Sequence, residues 1–114
     1  MLSGSRNTPA TVGNRARIFA ALGDETRLHL VIKLSGGKPR SISELTEGSK
    51  ITRQAISKHL AVLRRAGMVR STRAGRERLF QLDPRPLAGM RDYLDHVSAQ
   101  WDQALARLKA FVED

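Results

Sequence analysis

Eight apolar residues recur along the last quarter of the chain at a spacing of 3-4-3-4-3-4-3: Leu87, Met90, Leu94, Val97, Trp101, Ala104, Leu108 and Phe111. A helix that advances about 100° per residue keeps such a row on one side. The row runs unbroken through three heptads, which is the pattern of a coiled-coil seam. Pro84 and Pro86 pre-set the backbone ahead of it, and one long helix is expected over residues 84–112. A helix of about 25 residues spans nearly 40 Å, longer than a small domain needs. The row is therefore expected to face a second copy of the chain in a homodimer; packing on its own domain is the alternative.

The whole chain has the size of one domain. Its 114 residues are 40% hydrophobic, enough for one core. It has no cysteine, which excludes disulfides, thiolate metal sites and thiol catalysis and suits a cytoplasmic protein. No apolar run approaches the roughly 20 residues of a membrane span. The first 13 residues, MLSGSRNTPATVG, lack the apolar stretch of a signal peptide and are expected to form a flexible tail ahead of a domain over 14–114.

The net charge of +9 is concentrated. Residues 50–80 hold nine basic side chains against one acid, Glu77, and carry +8, whereas residues 84–114 carry −1. A basic patch of this kind suits a polyanion, nucleic acid above all. A solvated basic face is the plainer alternative.

The order of elements says which polyanion. Asn14–Leu22, with apolar residues at 16, 18, 19 and 22, reads as a short helix ended by Gly23. Asp24 can cap a second helix carrying Leu28, Leu30, Val31, Ile32 and Leu34, with His29 among them as a packing residue. Ser43 can cap a third, short helix holding Leu45. In ITRQAISKHLAVLRRAGMVR (51–70), Thr52 is a candidate N-cap and Gly67 a candidate left-handed terminator. Leu60 and Leu63 fall within about 40° of Ile56 and form a buried stripe. Gln54, Lys58, Ala61 and Arg65 lie opposite, with Arg53 and Ser57 between. Gln and Arg can make paired hydrogen bonds, and small Ala and Ser let a helix approach a partner closely. His59 falls at the edge of the stripe, where it can orient the helix or meet a phosphate. Residues 68–73 and 77–82 then read as two strands around Ala74-Gly75-Arg76, with Arg73, Arg76 and Arg78 at the tip. Two helices joined by a tight turn and followed by a basic hairpin make a mainly α winged helix-turn-helix. Its fourth helix enters the major groove, and its wing touches the DNA backbone or minor groove.

The stretches ALGDETRLHLVIKL (21–34) and SISELTEGSKITRQAISKHLAVLRRAGMVRSTRAGRERLFQL (41–82), with the helix after DPRPL (83–87), resemble the ArsR/SmtB family of bacterial winged-helix regulators over residues 14–112. The resemblance implies a dimer, formed by the first and last helices, that binds operator DNA at an inverted repeat and represses transcription. It implies that Thr52, Arg53, Gln54, Ser57, Lys58 and Arg65 meet bases and phosphates, and that Arg73, Arg76 and Arg78 are wing contacts. Founding members sense metals through cysteines in the third helix or through carboxylate–histidine pairs on the last. SELTEGS has no cysteine, and the last helix offers only Asp92, Asp95, His96 and Asp102. The likeness is therefore to a branch without the cysteine metal site. No cofactor is expected, and the effector is left open as a small molecule, another protein or none.

Other functions fit less well. A metal-responsive repressor would use Asp92 and His96, an i,i+4 pair of a kind that is commonly just a surface pair. An RNA-binding module needs aromatic side chains for stacking, yet Phe80, Tyr93, Trp101 and Phe111 lie outside the reading helix. A protein-interaction module would account for the heptad row but not for the +8 segment. An enzyme would need a nucleophile–base pair, a phosphate loop or a carboxylate constellation, and none is visible in the sequence.

Overall fold

A computed structural model describes residues 9–113, with side chains from Gly13 onward. Five helices and three strands follow in the order α1 (Pro9–Leu22), α2 (Glu25–Leu34), β1 (Arg40–Ser41), α3 (Ile42–Thr46), α4 (Arg53–Arg65), β2 (Val69–Ala74), β3 (Glu77–Leu82) and α5 (Pro84–Glu113). The first helix starts five residues before the expected Asn14. Proline suits a first helical position, because its missing N–H would have no partner there. Of the expected tail, residues 1–8 lie outside the described residues.

Local chemistry sets the helix ends. Asp24 Oδ2 accepts the Arg27 N–H at 3.1 Å and caps α2. The cap of α3 is Ser41, not the expected Ser43: Ser41 Oγ accepts the Glu44 N–H at 3.2 Å, and Glu44 Oε1 accepts the Ser41 N–H at 2.9 Å. This reciprocal box needs an acid three residues after the cap, which Ser43 lacks. Backbone hydrogen bonding from Ser41 also holds the Glu44 carboxyl below the usual range. Thr52 Oγ1 accepts the Ala55 N–H at 3.1 Å and caps α4. Gly67, at φ +79°, turns the chain out of that helix in a conformation few other residues adopt.

The sheet has the order β1-β3-β2, antiparallel throughout. The expected hairpin is β2–β3, shifted by one residue at its start, with Ala74 opposite Glu77 and a two-residue loop in which Gly75 takes φ +64°. The short β1, which no sequence pattern indicated, pairs Arg40 with Phe80 and Ser41 with Leu79.

One core holds these pieces together. Leu30 and Leu34 of α2, Leu45 of α3, Ile56, Leu60 and Leu63 of α4, and Met68 are fully buried. Ile18 and Ala21 of α1, Phe80 and Leu82 of β3, and Met90 of α5 close the cluster. The predicted stripe of α4 is therefore the face that fixes the helix on the body. The structure corrects two side chains of α2 and α5. His29 is exposed, beside Lys33 at the rim of a small pocket. Met90 is only 5% exposed and belongs to its own protomer's core, with Leu87 packed against that core.

The first turns of α5 are tied down. Buried Asp83 accepts Arg85 N–H, Nε and Nη2 at 3.1, 3.0 and 2.7 Å. These bonds, the side-chain ones first, hold its carboxyl far below the ordinary range and raise the Arg85 guanidinium. Arg15 of α1 lies 4.4 Å over the Tyr93 ring, linking α1 to α5. Beyond that point α5 leaves the body, and the protein extends 67 Å along its longest axis.

Candidate nucleic-acid interface

The stripe that anchors α4 also decides what the helix offers to solvent. With Ile56, Leu60 and Leu63 inward, Arg53, Gln54, Ser57, Lys58, Ala61 and Arg65 are all exposed. Thr52 is exposed as well; its oxygen is engaged in the cap, while its hydroxyl hydrogen remains available to donate. In the wing, Arg73, Arg76 and Arg78 are exposed. Helix and wing meet, because Arg53, Arg76 and Arg78 line one crevice with Ser43 at the start of α3. Residues more than twenty positions apart are thus gathered on one side.

The wing is held to α4 by a contact that the sequence pattern did not indicate. Arg64 Nη1 and Arg78 Nη1 both donate to Ser71 Oγ, at 3.2 and 2.9 Å. Arg78 also stands directly across the hairpin from Arg73. Like charges in that position oppose folding, and among the described residues none of the three has a carboxylate within 4 Å. The arrangement suits an anionic partner, which would relieve the repulsion. Arg64 was outside the expected set. Its only sequence signal is its place in the last turn of α4, where a cation also favours the helix dipole.

His59 is half-buried and faces the body rather than the exposed side of α4. Its Nδ1 lies 3.4 Å from Arg27 Nη1 and 3.8 Å from Asp24 Oδ2. Arg27 in turn donates from Nε to the Ala21 carbonyl at 2.7 Å and from Nη2 to the Ala20 carbonyl at 3.3 Å. His59 thus connects the end of α1 and the cap of α2 to α4. The Asp24 carboxyl is held below its ordinary range, chiefly by the Arg27 N–H and then by the charges of His59 and Arg27.

On α5, Asp92 and His96 are exposed, and His96 Nε2 sits 3.3 Å from the Gln100 amide nitrogen. No group of three or more His, Cys, Asp or Glu side chains gathers among the described residues. No described helix is long and apolar enough to cross a membrane. Beyond its first turn the heptad row is largely exposed, Leu94 by 47%, Trp101 by 64%, Leu108 by 59% and Phe111 by 80%, with Val97 and Ala104 half-buried. Leu105 and Val112 are exposed beside it, so the apolar face is broader than the row itself.

Residues 24–71 match the family model described as bacterial regulatory protein, arsR family. The chain is 40% identical over 89 residues to the HTH-type transcriptional regulator Rv2034 of Mycobacterium tuberculosis, covering 78% of this chain and 79% of that one. The chain belongs to the arsR family. Another family relative, the HTH-type transcriptional repressor SmtB of Mycobacterium tuberculosis, is 31% identical over 88 residues, 77% of this chain and 63% of that one. An ArsR-like transcriptional regulator from Rhodococcus sp. RHA1 superimposes with a TM-score of 0.76 at 36% identity, covering 90% of this chain and 95% of that one. The fold is that of the winged helix-turn-helix regulators of this family, and the protein is a DNA-binding transcriptional regulator, not an enzyme.

Proposed function

We propose that this arsR-family regulator acts as a homodimeric repressor that reads an inverted-repeat operator with α4 and grips the flanking backbone with the wing. The observation that carries the reading is the exposed front of α4, with Arg53, Gln54, Ser57 and Lys58, beside a crevice that Arg53 shares with Arg76 and Arg78. Gln54 and Arg53 are placed for base edges at the start of the helix, while Lys58, Arg65 and the wing arginines serve phosphates. The exposed apolar face of α5 from Leu94 to Val112 supports dimerisation, since such a surface is costly to leave in water. A two-fold dimer presents two reading helices to a symmetric site. The repressor assignment follows the SmtB relative, and its setting would be the cytoplasm, where operator DNA is found.

The test is a footprint on the DNA upstream of the protein's own gene. Two protected half-sites related by a two-fold axis, with centres one helical turn (about 10 base pairs) or a multiple of it apart, are expected. A single unsymmetrical half-site at saturating protein would contradict the dimeric reading, and no protection anywhere in the region would contradict an operator at this site.

A further inference from the structure

Beside the exposed face of α4, where α1 passes its last turn, lies a cleft of about 590 Å³. Its floor is small and apolar, made by Ala21, Val62 and Ala66, and its polar lining is three arginines: Arg17 of α1, Arg27 of α2 and Arg65 of α4. Arg27 is immobilised by the Ala20 and Ala21 carbonyls. Among the described residues, neither Arg17 nor Arg65 has a carboxylate within 4 Å. Three permanent cations from three helices therefore face one concavity. The exposed Phe19 sits about 160° around α1 from Arg17, away from the cleft.

We propose that this cleft is an oxyanion site, in which a phosphate-type group is seated between Arg17, Arg27 and Arg65. The guanidinium groups of Arg17 and Arg65 can match phosphate oxygens in paired hydrogen bonds. Arg27, whose Nε and Nη2 hold backbone carbonyls, adds fixed positive charge, and the small floor leaves room for a tetrahedral group to approach. The phosphate can come from a bound duplex or from a free phosphate compound. Arg65 stands twelve residues beyond Arg53, about 18 Å along the helix axis. That exceeds the major groove width of about 12 Å, so a helix reading bases at Arg53 brings Arg65 to the flanking backbone. The duplex source rests on the proposed reading of α4; the free source does not. In either case the anion would clamp α1 to the reading helix.

The test uses the full chain and the variants Arg17→Gln and Arg91→Gln, the latter removing an exposed α5 arginine that does not line the cleft. Calorimetric titration with pyrophosphate reports the free source. Duplex binding across a salt series, on an operator with and without flanking base pairs, reports the backbone source. For the duplex source, Arg17→Gln should weaken binding about tenfold per half-site and lower the dimer's salt slope by about two, only when the flanks are present. For the free source, Arg17→Gln should weaken pyrophosphate binding about tenfold and leave duplex binding unchanged. Arg91→Gln should do neither. Loss of pyrophosphate binding in Arg17→Gln, together with a wild-type protein that binds no duplex, would support the cleft and defeat the operator reading. If Arg17→Gln matches wild type in both titrations, or if Arg91→Gln loses as much, the cleft is not an oxyanion site.

Discussion

Arg27 shows how much one side chain can settle. Its backbone N–H completes the α2 cap on Asp24, its Nε and Nη2 hold α1 carbonyls, and its Nη1 reaches His59 on α4. Cap, helix end and reading helix are thereby fixed together. Asp83 does the same for α5, and its titration makes a pH prediction possible. Its folded carboxyl lies below its unfolded value, so its contribution is complete above the unfolded pKa of about 4 and is lost as pH falls toward the folded one. Asp83→Asn should therefore lower the thermal midpoint at pH 7, and the gap from wild type should narrow between about pH 5 and 2. Unfolding followed by circular dichroism would read it, and a gap that stays constant with pH would argue against the ionised pair. At the DNA surface, Gln54→Ala should lose about 1–3 kcal/mol of discrimination between specific and scrambled duplexes. Arg76→Ala, at the wing tip, should weaken both alike, because phosphate carries no base sequence. Equal losses on both duplexes for Gln54→Ala would remove it from base recognition.

Among the elements, α5 has two jobs along one row of residues. Its first turns belong to the protomer, through Met90, Leu87 and Tyr93, and its remaining turns present Leu94, Trp101, Leu108 and Phe111 to solvent. The two halves should respond differently to substitution. Met90→Ala should cost about 2–5 kcal/mol of folding stability, since it leaves a cavity in a closed core. Trp101→Asp should leave the protomer folded and break the dimer, because the exposed indole would be buried only against a partner, where an aspartate must be desolvated. Operator affinity would fall with the lost linkage of two readers, an effect of up to about 10²–10⁴-fold, while weak non-specific DNA binding survives. Sedimentation separates these outcomes; a Trp101→Asp protein that sediments as a dimer with full operator affinity would mean that the seam lies elsewhere.

For the whole molecule, the controlling fact is where its charge sits. The +8 of residues 50–80 accounts for nearly all of the +9, and the fold turns that segment into a helix and a wing that share one crevice. If a dimer neutralises about six to ten phosphates, affinity should fall about 10³–10⁵-fold between 50 and 200 mM salt. Fluorescence anisotropy over that range would measure the slope, and a nearly flat plot would rule out backbone neutralisation as the main source of affinity.

The sequence by itself determined what depends on neighbours along the chain. Thr52 and Gly67 bound α4, Gly75 opens the hairpin, the period of Ile56, Leu60 and Leu63 assigns the buried face, and charge simply adds along residues 50–80. Tertiary structure decided what depends on residues distant in sequence. The two-residue β1 is too short to show a period and exists because β3 offers it partners. Met90 and Phe111 occupy the same heptad row, yet one is buried and the other is exposed, because the globular body ends part-way along α5. The Arg64–Ser71–Arg78 contact, the Arg27–His59 link and the three-arginine cleft likewise come from helices and strands meeting in space. Periodicity reports which face of an element is apolar, but not which element will cover it.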